Sequence, residues 1–203
     1  MIMRPTLYVV TLLICLSCSF NQGVDLNAVH DTINIRQAAD SAPKNTPVTQ
    51  ESLRDVTQTL VRISLPNRNI SFFAAHIASN GSVETFMSRA GQSVSFRNGR
   101  ITAVRGFGFD LLGMEGEMRQ KLVFLDDNHQ RRILSLNCQV SGAEQDSLEI
   151  AEIRHKSTLQ QETCTSNFGS NINRYWTSMA GDPLQTLQWI GPDLGYLEVQ
   201  WLN

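Results

Sequence analysis

From about residue 54 onward, apolar side chains recur at every second position in short runs, and residues that favour turns cut each run. A period of two sends alternate side chains to opposite faces of an extended backbone, so these runs are half-buried strands. Val83, Thr85 and Met87 alternate with Ser82, Glu84 and Phe86 after the turn Ser79-Asn80-Gly81. Val94–Arg97 then leads into Asn98-Gly99, and Arg100–Arg105 returns from it. Asn-Gly supplies the two positive-φ positions of a tight hairpin. Earlier runs lie at 56–63 and 70–77. Later ones lie at Lys121–Leu125, Arg132–Val140, Leu148–Ile153, around Cys164, and at Tyr175–Met179, Leu187–Ile190 and Tyr196–Leu202. About ten short strands with regular turn signals predict an all-β fold: one mainly antiparallel barrel or sandwich over residues 51–203. One helical turn is expected within Leu111–Gln120, and there is no internal repeat.

The first residues are processing sequence rather than fold. Arg4 gives a positive start, and Leu7–Leu16 is an apolar run too short for the roughly 20 residues of a membrane-spanning helix. Ser17-Cys18 follows this run and resembles a bacterial lipobox, with cleavage before Cys18 and diacylglycerol on its sulfur. The expected division is a signal peptide at 1–17 and a lipidated N-terminus with linker at 18–50. Plain secretion is the alternative. Ser19 in place of Asp implies, by the same resemblance, an outer-membrane destination. Residues 24–39 carry scattered apolar side chains consistent with a short amphipathic helix. Ser41, Pro43, Asn45, Thr46 and Pro47 read as linker. As coil, the segment from 18 to 50 would span roughly 30 Å.

Processing removes Cys15 and assigns Cys18 to lipid, leaving Cys138 and Cys164 as a pair in an oxidising compartment. A disulfide between them is expected, stabilising by about 3.5 kcal/mol on the loop-entropy account. The alternative, a metal site, lacks a neighbouring Cys or His at zinc spacing. No metal and no cofactor are therefore expected. The net charge of −2 offers no field to hold a phosphate backbone, which argues against nucleic acid.

Motifs for chemistry are sparse. Gly106-Phe107-Gly108-Phe109-Asp110 lacks the third glycine and following helix of a nucleotide loop, and reads as a bend. Asp126-Asp127 reads as a solvated hairpin tip. The four histidines are isolated, no hydrolase or metalloprotease signature is present, and no catalytic residue is assigned. Two features stand out. Arg105 shares a strand face with Ile101 and Ala103, which would turn its guanidinium toward apolar surroundings; Asp110 is the nearest partner in sequence. Arg100, Arg105 and Asp110 are thus a candidate polar site, structural or ligand-binding, with an Arg105–Asp110 ion pair as the favoured account. All three tryptophans, Trp176, Trp189 and Trp201, lie near the C-terminus with Tyr175 and Tyr196. Tyr175, Trp176, Trp189 and Tyr196 form a candidate glycan platform, although core packing accounts for the same residues and is preferred.

An ordered set of motifs then carries a family resemblance. Gly99-Arg100-Ile101, the run from Ala103 to Leu112, Glu162-x-Cys164, Asn173-x-Tyr175-Trp176, and Gln188-Trp189-Ile190-Gly191-Pro192 with Gly195-Tyr196 together resemble the YjbF/GfcB (YmcC-like) family of bacterial lipoproteins. The resemblance spans about residues 50–203. It implies a mainly β, barrel-like domain and an association with group 4 capsule or exopolysaccharide, as a non-catalytic accessory to assembly or export. The implied partners are export and assembly proteins, the polysaccharide itself, and a membrane reached through the lipid. The alternative role is a periplasmic glycan- or lipid-binding module. A polysaccharide-modifying enzyme would need two carboxylates held roughly 5–10 Å apart.

Overall fold

The computed structural model describes residues 48–125, 128 and 130–202. The signal peptide, Cys18, the 24–39 segment, Asp126-Asp127 and His129 lie outside the described residues.

The described chain opens with one helical turn, α1 (Gln50–Leu53), at the expected boundary between linker and β domain. Thr49 explains it. Its hydroxyl accepts from the Ser52 amide at 3.2 Å while the Ser52 hydroxyl accepts from the Thr49 amide at 3.2 Å, a reciprocal cap that satisfies two otherwise free N–H groups. Thirteen strands follow: β1 (Leu60–Leu65), β2 (Ile70–Asn80), β3 (Val83–Ser88), β4 (Ser93–Arg97), β5 (Arg100–Arg105), β6 (Asp110–Glu115) and β7 (Arg119–Leu125). The remainder are β8 (Arg131–Val140), β9 (Glu144–Ile150), β10 (Ile153–Ser166), β11 (Gly169–Ser178), β12 (Pro183–Trp189) and β13 (Tyr196–Trp201). Leu111–Gln120 is a hairpin rather than a helical turn. Gly116, at φ +86°, reverses the chain, and a Cβ there would collide with the Arg119 carbonyl oxygen.

Every pairing is antiparallel. Neighbours in sequence are neighbours in the sheet from β1 to β8, β13 pairs with β1, and β10 pairs with both β8 and β11. The sheet therefore closes into a barrel of twelve strands, with β9 outside the ring on β10. Closure removes the free edges that an open sheet would present. The upper rim carries the turns at 66–69, 89–92, 106–109, 167–168 and 190–195. The lower rim carries both ends of the barrel sequence and the turns at 81–82, 98–99, 116–118 and 179–182.

Alternation along each strand fills the interior. Val61, Ile63 and Leu65 of β1, Val94 and Phe96 of β4, Leu134 and Leu136 of β8, and Leu197 and Val199 of β13 form one core with Phe86, Ile101 and Leu122. Each large side chain so buried contributes about 1.5–3 kcal/mol. On the opposite face of β1 and β2, Leu60 and Ala75 join Ile150 and Leu202 in a smaller cluster, covered by Val48, Leu53 and Val56. The segment before the barrel thus packs against the outer wall beside the β9–β10 hairpin.

Candidate functional site

A ring of polar side chains inside the lower half of the barrel centres on Glu162, whose side chain is 2% exposed. Period two along β10 puts Gln160, Glu162 and Cys164 on one face, and the β10–β11 register sets Tyr175, Asn173 and Asn171 opposite them. Arg100 Nη1 donates to Glu162 Oε1 at 2.9 Å, and Gln120 Nε2 donates to the same oxygen at 3.2 Å. The other oxygen accepts from Asn173 Nδ2 at 3.0 Å and from the Tyr175 hydroxyl at 3.1 Å. Four donors from β5, β7 and β11 thus converge on one carboxylate, which is how a buried charge is tolerated. Arg100 also lies 4.1 Å above the Tyr175 ring. Burial pushes the Tyr175 phenol well above its ordinary range; Arg100 opposes that shift and the Glu162 carboxylate reinforces it.

Cys138 and Cys164, expected as a pair, face each other directly across β8 and β10 and are bonded, with their Cα atoms 4.0 Å apart. Glu162 lies beside them, so a carboxylate oxygen and the two sulfurs fall within 4.8 Å of one another. The set is a poor metal cage. The sulfurs are bonded to each other and both carboxylate oxygens are already taken by donors.

Gln188 of β12 completes the interior from the opposite wall. Its Oε1 accepts from the Ile101 amide at 2.9 Å and its Nε2 donates to the Ile101 carbonyl at 3.0 Å. The β5–β6 ladder contains a single paired position, Val104 with Leu111, so Gln188 stands in for the missing strand neighbour. The Thr186 hydroxyl likewise donates to the Gly99 carbonyl at 2.6 Å.

The candidate polar site of Arg100, Arg105 and Asp110 is not one site. Arg100 enters the Glu162 cluster near the lower rim, whereas Arg105 lies at the upper end of β5 and does not pair with Asp110. Its guanidinium donates to the carbonyls of Leu111 and Leu112, the latter at 2.8 Å, and so clamps the sparse β5–β6 seam. Asp110 Oδ1 instead accepts from the amides of Gly106 and Phe107 at 2.8 and 3.4 Å and shapes the bend. A bulge separates the two arginines. Thr102 is the extra residue against β4, so Ile101 and Val104 point inward and the expected Ile101–Ala103–Arg105 face does not exist.

The glycan platform is also corrected. Tyr175 and Trp189 are buried, and Trp189 joins the main core cluster. Trp176, one residue on from Tyr175, faces the other way, and its Nε1 donates to Asp146 Oδ2 at 2.8 Å. That bond, helped by the Ser147 amide, holds the Asp146 carboxyl below the usual carboxylate range. The Tyr196 hydroxyl accepts from the Ile172 amide at 3.0 Å, and its ring packs on the core. Tyr175 and Trp176 leave β11 on opposite faces, while Trp189 and Tyr196 pair across β12 and β13 toward the upper rim, so the four rings present no common surface.

Sequence reasoning assigned no role to Glu162, Gln120, Asn173 and Gln188. The available signal was polar residues at inward positions: Glu162 two before Cys164, and Asn173 two before Tyr175. Glu162 is the one buried acidic residue among the described residues.

Two clefts open near the rims. One of about 430 Å³ lies between the segment around α1 and the β9–β10 hairpin. The larger, about 950 Å³, lies at the upper rim between β8, the β10–β11 turn and the β12–β13 loop.

No curated protein matches the chain. Among solved structures it is similar to the hypothetical lipoprotein YmcC from Escherichia coli (K12), with 18% identity and a TM-score of 0.72 over 90% of this chain and 97% of that one. At that identity the likeness speaks to fold. Residues 31–202 match the family described as group 4 capsule polysaccharide lipoprotein GfcB, YjbF. That match takes in every strand of the barrel and the cluster around Glu162, and the chain belongs to the YjbF/GfcB family of capsule polysaccharide lipoproteins.

Proposed function

We propose that this lipoprotein is a non-catalytic accessory in the assembly or export of capsule or exopolysaccharide. In this reading it is anchored through Cys18 in the outer membrane and faces the periplasm, where it works with export and assembly proteins. Family membership across residues 31–202 carries the reading. The chemistry of the interior supports it: the buried carboxylate is saturated by four donors, and among the described residues no second acid is buried with it to divide acid and base roles. The periplasmic placement agrees with the bonded Cys138–Cys164 pair, which needs an oxidising compartment.

The test is polysaccharide yield from a deletion strain complemented with the native gene or with Cys18→Ala, both checked for expression by blotting. Restoration by the native protein alone is the expected result. Unchanged yield on deletion would remove the polysaccharide role, and full rescue by Cys18→Ala would remove the need for an anchor.

A further inference from the structure

The upper-rim cleft is a notch in the barrel wall. The last β8–β10 pair toward that rim is Asn137 with Thr165, and β10 turns back into β11 through Asn167 and Phe168 soon afterwards. β8 extends further, so its residues 131–136 have β7 on one side and, among the described residues, no paired strand on the other. The β12–β13 loop, with Pro192 and Asp193, forms the facing wall, and the space between is about 950 Å³. That is within the roughly 300–1,000 Å³ of ligand-binding clefts.

Its lining has a particular chemistry. Three phenylalanines border it: Phe109 and Phe124 pack partly on the core, and Phe168, on the turn, is 60% exposed. Phe124 is held in place by Gly191, at φ +138°, where a Cβ would lie 2.7 Å from its ring. Ile133, Leu134 and Pro192 add apolar surface, and five neutral hydroxyl or amide side chains share the lining with two charged ones, Arg132 and Asp193. Two of the five are engaged internally: the Thr165 hydroxyl donates to the Asn137 carbonyl at 3.3 Å, and Ser166 Oγ accepts from the Phe168 amide at 3.0 Å. Ser135 and Asn137, on the exposed face of β8, and Asn167 also line the cleft, and among the described residues their side chains make no hydrogen bond.

We infer that this cleft is a carbohydrate site that takes a short stretch of a polysaccharide chain. Apolar ring faces suit the C–H faces of sugars, and neutral amides and hydroxyls suit sugar hydroxyls. An acyl chain would leave the amides and hydroxyls of this lining without partners. A phosphate backbone would need a cationic surface, which a lining with one arginine and one aspartate does not supply. The inference rests on the polysaccharide role proposed above and gives it a contact surface.

Calorimetric titration of the intact lipoprotein in detergent with oligosaccharides cut from the producing cell's extracellular polysaccharide tests it. Binding is expected, weakened at least about fivefold by Phe168→Ala and by Asn137→Ala, both at exposed positions, and unchanged by Trp176→Ala on the outer wall. No binding heat from the native protein, or equal affinity in all three variants, overturns the inference. Capture of an export protein through this face without oligosaccharide binding also overturns it, by assigning the cleft to an extended peptide on the free side of β8. The two proposals fail separately. Lost polymer on deletion with no oligosaccharide binding removes only the carbohydrate site, whereas unchanged polymer with intact binding removes only the export role.

Discussion

Arg100 Nη1 meets Glu162 Oε1 at 2.9 Å across 62 residues of sequence, which ties β5 to β10 through the barrel interior. Removing the cation alone leaves a carboxylate that is 2% exposed without its counter-charge. Arg100→Met is expected to cost about 2–3 kcal/mol in urea denaturation. That is less than the roughly 3–5 of a fully buried pair, because a third of the Arg100 side chain is exposed. Adding Glu162→Gln should recover part of the loss, since the amide oxygen still accepts from Asn173 and Tyr175 with no charge to bury. A double variant less stable than Arg100→Met would refute the account.

Gln188 supplies both hydrogen bonds of the Ile101 peptide groups on their side away from β4. Gln188→Leu keeps the volume and orphans one amide and one carbonyl, so a loss of about 1–3 kcal/mol is expected. Amide hydrogen exchange at Ile101 should accelerate while Val94 and Ile63 on neighbouring walls remain protected. Uniform acceleration across the barrel would mean global destabilisation instead.

The strands were legible where the turn between them carries its own chemistry. Asn98 and Gly99 adopt φ of 52° and 73°, and the hairpin they predict is present. Ala151 and Glu152 adopt φ of 50° and 66° with neither Gly nor Asn to announce it, so Leu148–Ile153 reads as one strand when it is the end of β9, a turn and the start of β10. The same blindness affects the site. Period two is reliable until a bulge inserts a residue, and Thr102 moved Arg105 off the face expected for it. Glu162 and Gln188 were hidden for a different reason: their partners lie on strands distant in sequence, and only closure of the ring sets their separation.

The disulfide joins cysteines 26 residues apart and spans β8 and β10 beside the Glu162 cluster. Loop-closure entropy for that span gives about 3.5 kcal/mol. The Cys138→Ala/Cys164→Ala variant should therefore lose about 3–4 kcal/mol and melt roughly 10 °C lower. It should keep its strand content in far-UV circular dichroism, because the main core is distributed over all the walls. A melting temperature unchanged within a degree or two would mean that the bond adds nothing beyond the packing already around it.

Tyr175 gives the barrel a stability limit in alkali. Burial raises its phenol above the ordinary value of 10.0, so the folded chain holds a proton that the unfolded chain releases. Unfolding then releases a proton at high pH, and stability falls as pH rises. The contribution is fully present below pH 10, and above it stability should decline by about 1.4 kcal/mol per pH unit for this one group. Phenolate absorbance in the folded protein should show one tyrosine silent until the barrel opens. Tyr175→Phe removes that proton and flattens this part of the alkaline decline, while costing stability at neutral pH because Glu162 loses a donor. An alkaline slope identical in the native protein and Tyr175→Phe would exclude Tyr175 as the group responsible.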